Sequence, residues 1–267
     1  MRLRDTFTRT LHDQLRPVVL WSIGAALLVS FYMALYPSIG SMNEMQQMIE
    51  QMPPAFRALF AAEGLDLSTP EGYLNIELFS FVGPLLVLAY TVSAGSGATA
   101  AEEERGTIDL LLSTPVTRRR VVLEKAAALG TLTLVLGGGM WLGVALGAAV
   151  GGVSVDLVRV AGALLSMLLM GAGFGAIAML LGALTGRRTV SLAITAVLII
   201  AGYMVNALGT IVDWLEPLRP VSPFFHFQGS DPLTRGLQAG PSAVLLAIIA
   251  IGVAGAVLAF DRRELRG

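Results

Sequence analysis

Six predominantly apolar stretches, each of 20 residues or more, limit what this chain can fold into more than any other feature. The last of them, PSAVLLAIIAIGVAGAVLAF from Pro241 to Phe260, carries no charged side chain. About 20 residues at 1.5 Å of rise cross the roughly 30 Å hydrocarbon core of a bilayer. The six are Pro17–Tyr36, Ile76–Ala98, Ala126–Val150, Val158–Leu184, Thr189–Gly209 and Pro241–Phe260. None alternates as a barrel strand does, so helices are the means of satisfying their backbones in lipid. The expected fold is an all-α integral membrane protein, with six transmembrane helices in one domain over 1–267.

Composition agrees. Hydrophobic residues make up 55% of the chain and charged residues 14%, against about 25% charged in a soluble domain. A net charge of −1 gives no basic surface for nucleic acid. The absence of cysteine removes disulfides, thiolate metal sites and a cysteine nucleophile.

Orientation follows from lysine and arginine. With six spans both termini share a side, and 14 of the 18 basic residues fall there: Arg2, Arg4, Arg9, Arg16, Arg105, Arg118, Arg119, Arg120, Lys125, Arg187, Arg188, Arg262, Arg263 and Arg266. Both termini are therefore expected in the cytoplasm. Residues 1–16 place Leu3, Phe7, Leu11 and Leu15 four apart among polar residues, the pattern of an amphipathic helix on the inner membrane surface.

Two outer segments are expected. In 37–75, Met42, Met45, Met48 and Met52 are spaced as an apolar helix face with methionine as adaptable filler; four thioethers would also suit Cu(I). Segment 210–240 is rich in proline and aromatic residues, which suits short helices dipping into the outer leaflet.

Chemistry is sparse. Hardly any ionisable residue lies at mid-depth, which argues against an ion-coupled secondary carrier. The two histidines, His12 and His226, fall on opposite sides of the membrane, so no catalytic dyad or two-histidine metal site forms within the chain. No catalytic or metal residue is assigned. Gly139, Gly143, Gly147 and Gly151 repeat every fourth residue in the third span, and Gly171 and Gly175 follow in the fourth. Such ridges let another helix backbone approach closely. No Gly-Lys-Ser/Thr sequence occurs, so a phosphate-binding loop is absent from this sequence.

One stretch breaks the apolar monotony. The cytoplasmic loop 99–125 contains EEERGTIDLLLSTPVTRRRVVLEK, residues 102–125, with five acids and five bases. Ile108, Leu111 and Leu112 fall at i, i+3 and i+4, one face of a short helix that Thr107 can cap and Pro115 ends. Thr117 can cap the helix after it. The sequence thus describes a small knob with an apolar face, which asks for a socket or for the inner leaflet.

From Glu102 to Arg118 the pattern Glu-x-x-x-Gly-Thr-Ile-Asp-Leu-Leu-Leu-Ser-Thr-Pro-Val-Thr-Arg resembles the signature loop of type-2 ATP-binding-cassette permeases, the membrane subunits of one class of ABC exporters. The six spans, the amphipathic amino terminus and the outer aromatic segment extend the resemblance over nearly the whole chain. The resemblance implies that the loop is a coupling helix seated in an ATPase subunit, with Glu104, Arg105, Gly106, Thr107, Ile108, Leu111, Leu112, Pro115 and Arg118 forming or shaping the contact. It implies an exporter permease of the plasma membrane, itself no enzyme and without a cofactor of its own. ATP and magnesium would be held by a separate ATPase partner. The other partners would be a second permease copy or a sister permease, and membrane lipid. The rivals are a non-transporting scaffold or regulatory receptor that docks a cytoplasmic partner through the same knob, and an ion-coupled carrier. Drugs, peptides, lipids, glycolipids and metal ions all remain open as substrate.

Overall fold

A computed structural model describes residues 6–38, 47, 51–59, 69–104 and 117–262. All regular structure among them is helical, and six helices are long and apolar enough to cross a membrane. Helix α1 is Thr6–Leu35, followed by a 3-10 turn, Tyr36–Ser38; α2 is Pro54–Leu59. Helix α3, Pro70–Leu74, runs through a π-helical stretch, Asn75–Val82, into α4, Gly83–Glu104. Next come α5, Arg118–Gly151; α6, Leu157–Thr185; and α7, Arg188–Leu208. A 3-10 turn (Glu216–Val221) and two short helices, α8 (Pro223–Gln228) and α9 (Pro232–Arg235), precede α10, Ala239–Arg262.

Local chemistry sets the ends. Thr117 accepts from the Arg120 amide at the start of α5, and Asp156 accepts from the Val158 and Arg159 amides at the start of α6. Gly152 and Gly186 close α5 and α6 in the left-handed region, with φ of 65° and 64°. Thr69 caps α3 through the Gly72 amide, and Pro70 occupies its first turn.

The amino-terminal stripe differs from a separate surface helix: from Thr6 it is continuous with the first span, with Pro17 inside. Proline there removes one backbone donor, but docking holds the stretch on α5. The Phe7 amide, one of the unpaired donors of a helix start, bonds Glu124 Oε2 at 3.2 Å, and Leu11 packs on the core.

Helix α6 is the most buried of the six. Gly171 lies against Val87 and Gly175 against Thr91 of α4, while Gly95 of α4 lies on the Gly175 carbonyl. On its other side α6 meets α10 through Gly173 on Ile248 and Ala176 on Gly252. Helix α1 runs along α5 over a glycine face. A Cβ at Gly139 would lie 2.8 Å from Ser22 Cβ, at Gly143 2.6 Å from the Ala26 oxygen, at Gly147 2.6 Å from the Ser30 oxygen, and at Gly151 3.0 Å from the Met33 oxygen. Ser30 Oγ donates to the Gly143 carbonyl at 2.9 Å.

The segment 210–240 packs inward more than its composition suggests. Phe224 and Phe227 are buried, and Phe224 sits 5.7 Å from Phe174 and 5.3 Å from Tyr203 between ring centres. Ser222 Oγ donates to the Gly202 carbonyl at 2.8 Å. Trp214 and Val221 remain exposed. Met42, Met45 and Met48 lie outside the described residues.

Candidate functional site

The contacts gather the starts of α1, α5 and α7 and the ends of α4, α6 and α10 at one end of the bundle. That end holds Arg9, Arg16, Arg118, Arg119, Arg120, Lys125, Arg187, Arg188 and Arg262, nine of the 13 described basic residues. The other end has Arg57, Arg159, Arg219 and Arg235.

Of the residues that the sequence pattern assigns to the coupling loop, Arg105, Gly106, Thr107, Ile108, Leu111, Leu112 and Pro115 lie outside the described residues. Glu104 is the last residue of α4 and Arg118 the first of α5, so the two mark the roots of the loop. Arg118 is half-buried and its Nη1 donates to the Phe260 carbonyl at 3.3 Å, with the guanidinium 6.0 Å from the centre of the Phe260 ring. That carbonyl belongs to the last turn of α10, where a helix lacks its own donors and favours a cation.

One turn further along α5, Arg120 Nε bonds Glu124 Oε1 at 2.5 Å, and the second oxygen of that carboxylate holds Phe7. Lys125 is buried, 6% exposed, and its Nζ donates to the Ala98 carbonyl of α4 at 2.5 Å. Arg118, Glu124 and Lys125 thus fasten the first two turns of α5 to α10, α1 and α4 respectively. Sequence reasoning held Lys125 only as one of the 14 cations of one side, and Glu124 only as one of the five acids in 102–125. No spacing rule signals either contact, since each partner lies on a different helix.

Beside these contacts is a polar cavity of about 180 Å³ whose lining includes Thr10, Asp13, Gln14, Ser93, Lys125 and Arg188. Arg188, at the start of α7, donates from Nη2 to Ser93 Oγ at 2.9 Å. Among the described residues two cations face one acid across this space. Its described walls offer charge and hydrogen bonds. Among the described residues no group of three His, Cys, Asp or Glu side chains is placed to hold a metal ion. The glycines Gly139, Gly143, Gly147, Gly151, Gly171 and Gly175 lie in helix contacts rather than on this cavity.

No curated protein matches the chain. A family model described as "Multidrug efflux system permease Rv1217c, C-terminal domain" matches residues 3–261. With nearly its whole length matched, a six-helix bundle of this kind belongs to that family of multidrug efflux permeases.

Proposed function

We propose that the protein is the permease subunit of an ATP-driven exporter of chemically varied apolar compounds, worked by a separate ATPase that docks on the loop 105–116. Both termini and this loop face the cytoplasm, in the plasma membrane. A second bundle, another copy or a sister permease, completes the translocation path. The family description concerns one domain of a permease, the form expected where bundles act in company.

The observation that carries the reading is the way the loop is rooted. It leaves a 22-residue helix and enters a 34-residue helix, and Arg118 and Lys125 tie that second helix to α10 and α4 within its first turns. Force applied to a knob so anchored moves three helices together, because packed helices shift as units rather than deform continuously. Arg118, beyond the knob, would brace it against α10, while Ile108, Leu111 and Leu112 would fill the socket.

Association with the ATPase tests the assignment. Ile108→Asp or Leu112→Asp buries an unpaired carboxylate in an apolar socket, so each variant is expected to insert normally and to lose copurification of the ATPase and substrate-stimulated ATP hydrolysis in proteoliposomes. Full copurification and normal transport by either variant would refute the socket-facing side. Transport with no nucleotide-hydrolysing companion would refute the reading as a whole.

A further inference from the structure

Next to the inner polar cavity, a second space of about 240 Å³ opens between α1 and α4 and ends at Arg188 of α7. It is lined by Gln14, Pro17 and Trp21 on one side and by Tyr90 and Ser93 on the other. Trp21 Nε1 donates to the Leu86 carbonyl at 3.3 Å, bridging the two helices and closing the groove toward mid-membrane. Trp21, Pro17 and the adjoining Ala89 are exposed on the bundle's outer surface, so the groove opens sideways, onto the face that lipid wets.

Its chemistry is lopsided. Among the described residues that line it, Arg188 alone is charged. The polar lining is rich in donors: the Gln14 amide, the Ser93 hydroxyl held by Arg188 Nη2, and the Tyr90 hydroxyl. Tyr90 is 9% exposed, and its hydroxyl is sealed from solvent with no hydrogen-bond partner among the described residues. Buried hydroxyls are rarely left so, because an unmade hydrogen bond costs the full desolvation of the group. The remaining wall, Pro17, Trp21 and Ala89, is apolar or aromatic. Arginine and tryptophan together at one end of a span mark headgroup depth.

The geometry points to this groove as a binding site for an anionic amphiphile, with a phosphate head between Arg188, Ser93, Gln14 and the Tyr90 hydroxyl and an apolar body along Pro17 and Trp21. A planar guanidinium matches phosphate oxygens in pairs, and a bound oxygen gives the Tyr90 hydroxyl its acceptor. The inference goes beyond the coupling reading and does not depend on it, because it is tested with neither ATPase nor nucleotide.

The test places the full chain in nanodiscs with brominated phosphatidylglycerol or brominated phosphatidylcholine. It reads quenching of Trp21, isolated as the difference from Trp21→Phe. Phosphatidylglycerol is expected to quench at an at least threefold lower mole fraction than phosphatidylcholine. Arg188→Gln and Tyr90→Phe should each erase that preference without changing the phosphatidylcholine curve. Tyr90→Phe removes only a hydroxyl that has no partner among the described residues, so it decides the matter should Arg188→Gln fail to assemble. Dodecyl phosphate competing with phosphatidylglycerol, where dodecyl maltoside does not, would assign the site to a free amphiphile; selective quenching without such competition would assign it to a resident lipid. Both outcomes support the site. Equal quenching by the two lipids, an unchanged preference in well-assembled Tyr90→Phe protein, or displacement by inorganic phosphate alone would overturn it.

Discussion

At Gly143 a Cβ would stand 2.6 Å from the carbonyl oxygen of Ala26, and four residues on either side Gly139 and Gly147 meet α1 as closely. The opposing atoms are largely backbone, so they cannot swing aside as a side chain would. Gly138, on the exposed side of the same helix, has nothing within 4 Å of its would-be Cβ. The two positions therefore answer a methyl group in opposite ways. Gly143→Ala is expected to lower stability by about 1–3 kcal/mol through overpacking, or to part α1 from α5. Gly138→Ala should be neutral or stabilising by up to about 1 kcal/mol through helix propensity. Thermal unfolding of the detergent-purified variants, followed with monodispersity by size exclusion, separates these outcomes. Equal melting of the two variants would show that the glycine face does not set the α1–α5 distance.

Among the elements, the stretch Asn75–Val82 stands out because a π-helical turn spreads its backbone bonds over a wider loop. Ser80 Oγ donates back to the Asn75 carbonyl at 2.8 Å, and the Ser80 carbonyl accepts from Gln228 Nε2 at 3.1 Å. Gln228 Oε1 accepts in turn from Asn206 at 3.0 Å. One glutamine at the end of α8 thus joins the second and fifth spans. Gln228→Ala strands the Asn206 amide and the Ser80 carbonyl, at about 1–3 kcal/mol for groups left unsatisfied in a partly buried site. Amide exchange within Asn75–Val82 should quicken about tenfold or more, with exchange in α5 unchanged. Unaltered exchange in both would mean that the π-helical turn holds without this bridge.

Such a bridge was beyond what the residues reveal in isolation, whereas the spans themselves were plain. The spans were legible because lipid imposes one local rule, an apolar run of sufficient length, and the glycine ridge because close approach imposes another. The ends were less so: α5 begins at Arg118, eight residues ahead of the apolar run, since long basic side chains reach water while their stems stay in a helix. The outer segment was legible in part. Its expected short helices form at Pro223–Gln228 and Pro232–Arg235, but that Phe224 and Phe227 fill the bundle was not legible, because the same rings suit the interface or the core until the partners Phe174 and Tyr203 are known. For the inner end, the clustering of arginines was legible and the fastening by Glu124 and Lys125 was not, because the partners are Phe7 and Ala98 on other helices.

For the molecule as a whole, the asymmetry of charge between its two ends is the property from which orientation follows. Nine described cations crowd the end that carries the loop, and four lie at the other. Retaining a cluster of cations on the cytoplasmic side during insertion favours that end inside. The natural chain has no cysteine, so single thiols report sidedness without background. Arg119 and Glu216 are both exposed and stand at opposite ends of the bundle. A maleimide reacts with the thiolate in water, and both positions are polar in the natural chain. In intact cells a membrane-impermeant maleimide should label Glu216→Cys at once and Arg119→Cys only after permeabilisation. The reverse pattern would set the loop 105–116 outside the cell, away from any nucleotide, and would remove the motor from the proposed mechanism while leaving the bundle and its glycine contacts as they stand.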